Sequence, residues 1–266
     1  MDSAAPPTGA DLLPSPTFQP PNTTNSHILP KVTTGSSEEF MHRSALISAH
    51  ATLKDPFNFL LNAEKLSPGA DTTPTVDQLY TANMGRLRTK ASQGALLVEA
   101  GDFAAVAVWE PPHCTKGQDD GFEKRLMDVE ESGRLLFLDF LQGMEDAKDS
   151  VLGKGEGREG YWQMSLLARD VGKAGVKGAV RAVLEFGLER ARREGRKVWL
   201  AAGNERARDI YKYFGWRVVE QLVVGKDVVG RDGRRKEGGE GVSTWLMVRE
   251  WSEEERSEQS KVVNGV

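Results

Sequence analysis

AAGNERARDIYKYFGWRVVE, residues 201–220, is the stretch whose reading decides the fold. It changes character twice. A buried strand gives way at Gly203 to a densely charged segment, and Gly215-Trp216 opens a second apolar run. Asn204 stands where a helix N-cap belongs, because its short side chain accepts from the free N–H groups of a first turn. Ala207, Ile210, Tyr211 and Phe214 recur at three and four residues and form one face of a short helix over 204–214. Tyr211 ends that apolar ridge. It either completes the core or packs its ring and turns its hydroxyl to a cleft.

Working outward, KVWLAA (197–202) reads as a buried strand, and YWQMSLLAR (161–169) as a central one. Between them VKGAVRAVLEFGLERARREG (176–195) places Val176, Val180, Val183, Leu184, Leu188 and Ala191 on one helical face, with basic residues in its last turn and Gly195 at the C-cap. Strand, helix and strand at this spacing make a crossover joining two parallel strands. The turn that starts the helix carries Gly172, Gly175 and Gly178 with Lys173 and Lys177. Glycines let the backbone approach a ligand, and a helix N-terminus offers unpaired amides and positive potential. The turn is therefore either a phosphate site or a tight strand–helix packing joint. The turn itself contains neither GxxxxGK[ST] nor GxGxxG.

Downstream, WRVVEQLVVG (216–225) and VSTWLMVRE (242–250) read as strands, and the polar, Gly-rich 226–241 as a mobile loop. Upstream, Ser36, Ser37 and Glu39 resemble a capping box that starts a helix, which Asp55-Pro56 stops. A second helix spans 74–92, and GALLVEAGDFAAVAVWEPP (94–112) is a β-hairpin. Residues 119–150 are helical through Phe122, Leu126, Val129, Leu135, Leu138, Leu141 and Met144, with a break at Gly133; KGEGREG (154–160) is a loop. Early helices followed by alternating strands and helices argue one mixed α/β domain over 36–250. Residues 1–35, rich in Pro, Thr, Ser and Asn, read as a disordered tail, and 251–266 as a charged flexible one.

Composition removes several functions. A net charge of −4 gives no basic footprint for nucleic acid. One cysteine, Cys114, excludes an internal disulfide and a Cys-cluster metal site, and the histidines His27, His42, His50 and His113 have no ligand spacing. No apolar run reaches the roughly 20 residues a bilayer requires, and the N-terminus lacks an apolar signal core. The expectation is a cytoplasmic protein, or a cytoplasmic and nuclear one, with no metal and no membrane partner.

Two stretches together resemble the acetyl-CoA signature of the GCN5-related N-acetyltransferase (GNAT) superfamily, and the phrasing of 36–250 is similar to that of its small-molecule acetyltransferases of filamentous fungi. The family's helix pattern N-x-x-A-x-x-x-Y-x-x-x-G-[FW] is met by Asn204, Ala207, Tyr211, Gly215 and Trp216. Its [QR]-x-x-G-x-[GA] turn aligns with 172–177, where Gly175 matches, Gly172 stands at the Gln/Arg position and Lys177 at the last small one. The resemblance implies a central, mostly antiparallel sheet with a splayed parallel strand pair. It implies that Leu167, Ala168 and Arg169 pair with the pantetheine arm of acetyl-CoA. It assigns the pyrophosphate to the amides of Gly172, Lys173, Ala174, Gly175, Val176, Lys177 and Gly178. Asn204 and Ala207 would contact the same ligand, and Tyr211 would protonate the departing thiolate. A phenol of ordinary pKa near 10 suits that last role.

Acetyl transfer to an amine also needs a proton acceptor. Glu110, at the end of the hairpin, is the first candidate, with Asp55 and His113 as alternatives or water in their place; Trp109 and Trp162 either line the acceptor site or fill the core. The reading is an acetyl-CoA-dependent N-acetyltransferase of a small-molecule amine. A protein or peptide N-acetyltransferase, or a non-catalytic GNAT-like interaction module, are the alternatives.

Overall fold

The computed structural model describes residues 28–67, 70–115, 126–154 and 160–255. Among them seven strands, β1 (Val32–Thr34), β2 (Leu96–Ala100), β3 (Ala105–Glu110), β4 (Trp162–Arg169), β5 (Val198–Ala202), β6 (Arg217–Val224) and β7 (Val242–Arg249), form one sheet. Its order is β1-β2-β3-β4-β5-β7-β6. Every neighbouring pair is antiparallel except β4 and β5. That parallel pair joins only at Trp162 with Val198 and Gln163 with Trp199. β4 then continues to Arg169 and β5 to Ala202 without pairing, so the sheet opens into a V.

On its other edge β4 stays paired to β3, with a bulge. Val108 faces Leu166 and Trp109 faces Met164, so Ser165 is the extra residue. A bulge bends its strand and increases the local twist. This one lies two residues past the last β4–β5 pair, where β4 leaves its neighbour.

Seven helices complete the labelled elements: α1 (Glu38–Ala51), α2 (Pro56–Lys65), α3 (Val76–Ser92), α4 (Pro112–Thr115), α5 (Leu135–Leu152), α6 (Ala179–Arg193) and α7 (Glu205–Tyr213). α6 and α7 cover one face, over a core that includes Trp109, Trp162, Leu200 and Met247. α6 rides directly on Trp109. The indole donates to Val183 O at 3.0 Å, and a Cβ at Gly187 would stand 2.1 Å from its ring. On the opposite face α1 and α3 bury Met41, Ala45, Met84 and Leu87 against Leu97 and Val108, and α5 covers Trp199, Leu246 and Val248. Each such large apolar side chain contributes roughly 1.5–3 kcal/mol on burial.

The hairpin, the crossover and the last strand pair stand where the sequence puts them, and Gly133, at φ +70, separates a helical segment over 126–131 from α5. Several expectations change. Residues 32–34, assigned to the tail by composition, form β1 against β2, with Val32 opposite Ala100. Trp251, assigned to the C-terminal tail, is buried and donates from Nε1 to Arg196 O at 2.7 Å. Asp55-Pro56 does not merely stop α1. Asp55 accepts from Phe57 N–H at 2.9 Å and starts α2, with Pro56 in the first turn, where its missing N–H costs nothing. At α1 only Ser37 caps, accepting from Phe40 N–H at 3.2 Å. Gly178, at φ +80, delays α6 to Ala179, so Val176 packs on the core from the preceding turn.

The loop between β6 and β7, expected to be mobile, folds against α2. Arg235 donates to the carbonyls of Ala63 and Leu66 at the C-terminus of α2, and Arg234 lies over the Phe59 ring. Residues 1–27 and 256–266 of the tails, Phe122, and residues 155–159 of the KGEGREG loop lie outside the described residues.

Candidate active site

A continuous cleft of about 2970 Å³ runs through the V and reaches both faces of the sheet. On the α6–α7 face its walls are the open end of β4, the first turn of α6, and α7. Asn204 caps α7 as its sequence predicts, accepting from Ala207 N–H at 2.9 Å. Tyr211, two turns on, lines the cleft and is 7% exposed. Its ring lies 5.7 Å from that of Trp216, centroid to centroid, and Trp216 N–H donates to Tyr211 O at 3.1 Å. Gly215 makes this reversal possible at φ +86. Burial alone pushes the Tyr211 hydroxyl above its ordinary value, which keeps it protonated at neutral pH.

The first intrahelical bond of α6 runs from Ala182 N–H to Gly178 O at 2.8 Å. The amides of Ala179, Val180 and Arg181 therefore precede the helical ladder, and all three residues line the cleft with Gly178 and Lys177. The helix dipole adds positive potential at the same place. Leu167, Ala168, Arg169, Ala174 and Val176 also line the cleft; Gly172, Lys173 and Gly175 do not. Lys173 is held elsewhere, by a 2.6 Å ion pair with Asp102 of the hairpin turn, and Arg169 closes the turn by donating to Ala174 O at 2.7 Å. The unladdered amides that open α6 thus lie a few residues later than the glycine spacing suggests, on Ala179 to Arg181.

The opposite face holds a different set of groups. Glu110 is fully buried and does not line the cleft. Its Oε2 lies 2.5 Å from Lys90 Nζ and its Oε1 accepts from Gln163 Nε2 at 3.3 Å. The structure therefore does not bring Glu110 to the cleft wall, as a base in contact with an acceptor requires, but puts Lys90 and Gln163 there. Trp109 and Trp162 pack in the core beneath α6 and do not line the cleft. Asp55 does line it. A Cβ on Gly203, at the end of β5, would meet Asp55 Oδ2 at 3.0 Å. Burial raises the Asp55 carboxyl above its ordinary value, opposed by the hydrogen bond from Phe57 N–H. A carboxylate with raised basicity and no cationic partner beside it among the described residues is equipped to take a proton. His113 also reaches the cleft, from α4.

Sequence reasoning did not single out Trp199 or Asn83, both buried in the cleft wall with side-chain nitrogens that lack hydrogen-bond partners among the described residues. No local signal marks them, since an unpartnered donor is a property of the assembled fold. Among the described residues no cluster of His, Cys, Asp and Glu is placed to hold a metal ion, and no helix is long and apolar enough to cross a membrane.

No protein-family model matches the chain. An uncharacterized protein of Saccharomyces cerevisiae is 29% identical over 153 residues, a match spanning 56% of this chain and 59% of that protein's length. Solved structures are similar over most of the described chain. The polyamine N-acetyltransferase of Drosophila melanogaster superposes with a TM-score of 0.53 at 14% identity, over 83% of this chain and 100% of its own. An agmatine N-acetyltransferase gives 0.53 at 16% identity, over 82% and 98%. Arylalkylamine N-acetyltransferase 2 of Aedes aegypti gives 0.52 at 15%, over 82% and 97%. The chain has the fold of the GNAT N-acetyltransferases.

Proposed function

We propose that the chain transfers an acetyl group from acetyl-CoA to a small amine, with Tyr211 as general acid and Asp55 as general base. The observation that carries this is one continuous cleft through the V, lined by Tyr211 on one side of the sheet and by Asp55 on the other. Acetyl-CoA supplies the acetyl group, activated as a thioester. The pyrophosphate suits the Gly178–Arg181 amides and Lys177, where backbone donors, a helix dipole and a cation converge. The edge of β4 left open beyond Gln163 offers main-chain groups to the pantetheine amides, and the Asn204 Nδ2 remains free of the capping bond.

On the acceptor side an amine must arrive unprotonated. Asp55 removes its proton through direct contact or one water, and a carboxylate disfavoured by burial is a stronger base than one in solution. Tyr211 carries the proton that the departing sulfur needs. The apolar wall that raises the phenol disfavours a thiolate anion beside it for the same reason, so the two remain matched. Glu110 acts at one remove, by holding Lys90 in the cleft wall. A main-chain N–H near the Ser165 bulge is available to polarise the carbonyl.

Calorimetric titration with acetyl-CoA, followed by thiol release on adding a panel of primary amines, tests the proposal. Binding and amine-dependent release are expected. No heat at millimolar acetyl-CoA would end this reading in favour of an interaction module.

A further inference from the structure

We infer that the acceptor is a primary monoamine with an apolar tail, and that Phe57, Leu61, Phe137, Phe140 and Met144 form the wall that selects it. The inference rests on the acetyltransferase reading for the side of the sheet that takes the acceptor and for Asp55 as the group that receives its proton. All five side chains line the cleft and all are half-buried, so each keeps apolar surface that the fold leaves uncovered. Helical periodicity sets them in two stripes. Phe57 and Leu61 are four residues apart on α2, and Phe137, Phe140 and Met144 follow at three and four on α5. Leu141, Glu145 and Lys148 continue that face of α5 along the cleft, which fixes it as the face turned inward. The stripes meet where the Phe57 and Phe140 rings stand 4.7 Å apart. Buried edges anchor them. Phe57, Leu61 and Phe140 pack on the core around Leu60 and Val224, and Met144 on that around Trp199 and Leu246. Asp55 caps α2 and accepts from the N–H of Phe57, so the wall begins in the helical turn that Asp55 opens.

The wall on α3 is of the other kind. It turns Gln78, Arg86, Thr89, Lys90 and Gln93 to the same cleft. That side holds its water, whereas the α2–α5 side gains by giving its water up. Charge decides what the tail must lack. Among the described residues that line this half, Lys65, Arg86, Lys90, Arg134 and Lys148 are basic, and only Asp55 and Glu145 are acidic. Glu145 lies 3.6 Å from Lys148, and Asp55 is committed to the reacting nitrogen. The guanidinium of Arg134 lies over the Phe137 ring, 4.4 Å from its centroid. Gln163 Oε1 is an acceptor without a partner among the described residues, but it is uncharged and wholly buried at the closed end of the V. A second ammonium along the α2–α5 wall therefore meets cations and no uncommitted carboxylate. A neutral polar tail would leave its oxygens desolvated against rings. An alkyl or aryl tail meets neither cost.

The test compares hexylamine, phenethylamine, hexamethylenediamine and aminoethoxyethanol, an ether alcohol matched to hexylamine in length, in acetyl-CoA-dependent thiol release. The two apolar amines are expected to exceed the diamine and the ether alcohol in kcat/KM by roughly tenfold or more, the effect of burying about two methylene groups. In Leu61→Gln and in Met144→Gln, one on each helix, the ratio of hexylamine to ether alcohol is expected to fall by roughly threefold or more, the effect of about one methylene. A preference for the diamine or the ether alcohol, equal use of all four, or a ratio unmoved by both variants overturns the inference. Binding is measured independently of catalysis by titrating N-hexylacetamide and N-acetylhexamethylenediamine, with the first expected to bind roughly tenfold tighter or more. Equal binding, or none, overturns the inference whatever the turnover. Tight binding of N-hexylacetamide without turnover of any amine overturns the acetyltransferase reading and leaves the apolar subsite standing.

Discussion

Tyr211 and Asp55 are each defined by one atom and its surroundings, so their roles separate cleanly by substitution. Tyr211→Phe keeps the ring that packs on Trp216 and removes only the hydroxyl. Acetyl-CoA affinity should stay within about threefold while turnover falls by roughly 10²–10⁴, the usual range for a lost proton donor. Unchanged single-turnover rates would remove Tyr211 from the mechanism. Asp55→Asn keeps the N-cap, since asparagine caps about as well as aspartate. It should lower turnover by a similar roughly 10²–10⁴ and, unlike Tyr211→Phe, change stability with a definite pH dependence. The folded Asp55 carboxyl titrates above its ordinary value because burial disfavours the anion. The folded state therefore binds more protons than the unfolded one as pH rises past the ordinary value, and stability is lost through that window. Melting curves of the two proteins should coincide below about pH 3, where Asp55 is largely neutral in both states. The variant should melt higher at neutral pH. A variant that melts lower at pH 7 would show that the ionised carboxylate is stabilised there, contrary to the role proposed for it.

At the scale of elements, the placement of Asp55 depends on α2, and α2 depends on a loop far away in sequence. Gly233 approaches Pro56 so closely that a Cβ would stand 1.9 Å from its carbonyl oxygen, at a backbone φ of +78. Gly233→Ala should cost about 2 kcal/mol or more, from left-handed strain plus overpacking. Amide exchange should accelerate selectively over α2, while α6 keeps its protection. Uniform acceleration across the chain would mean that the loop supports the whole fold and not this helix. The same elements mark what the sequence makes legible. The motif from Asn204 to Trp216 could be read because its cap, its ridge and its reversing glycine all lie within one helix and the turn after it. The 226–241 loop misleads because its glycines suggest freedom, when they serve close backbone contact; Gly239 has Val229 O at 2.2 Å from its absent Cβ. Pro56 misleads because proline ends one helix and begins another with equal ease. Glu110 looked like a base because it ends a strand at the cleft. Its partner Lys90 comes from α3, and nothing local to either residue announces the pair.

Over the whole molecule the sheet consists of two parts joined along two residue pairs. β1 to β4 carry α1, α3 and α6, and β5 to β7 carry α5 and α7, with α2 packed on α5 and β7. The parts share a core at the closed end of the V, where Trp162 and Val198 meet, and separate toward Arg169 and Ala202. Both halves contribute to each side of the cleft. The first part supplies the α6 amides and Lys90, and the second supplies Asn204, Tyr211, Trp199 and Asp55. A ligand seated in the V consequently replaces the strand pairing that β4 and β5 lack, and ties the parts together. Acetyl-CoA at about 100 times its Kd should add about 2.7 kcal/mol to stability. For a chain of this size that is a rise of about 5–10 °C in Tm. The gain in amide protection should concentrate on residues 164–169, whose gap-facing main chain has no strand partner, and on the first turn of α6. Protection confined to α6 would describe a phosphate held at a helix end without the pantetheine arm in the gap. In that case the two parts of the sheet would remain as loosely joined as in the free protein, and Tyr211 would have no sulfur within its reach.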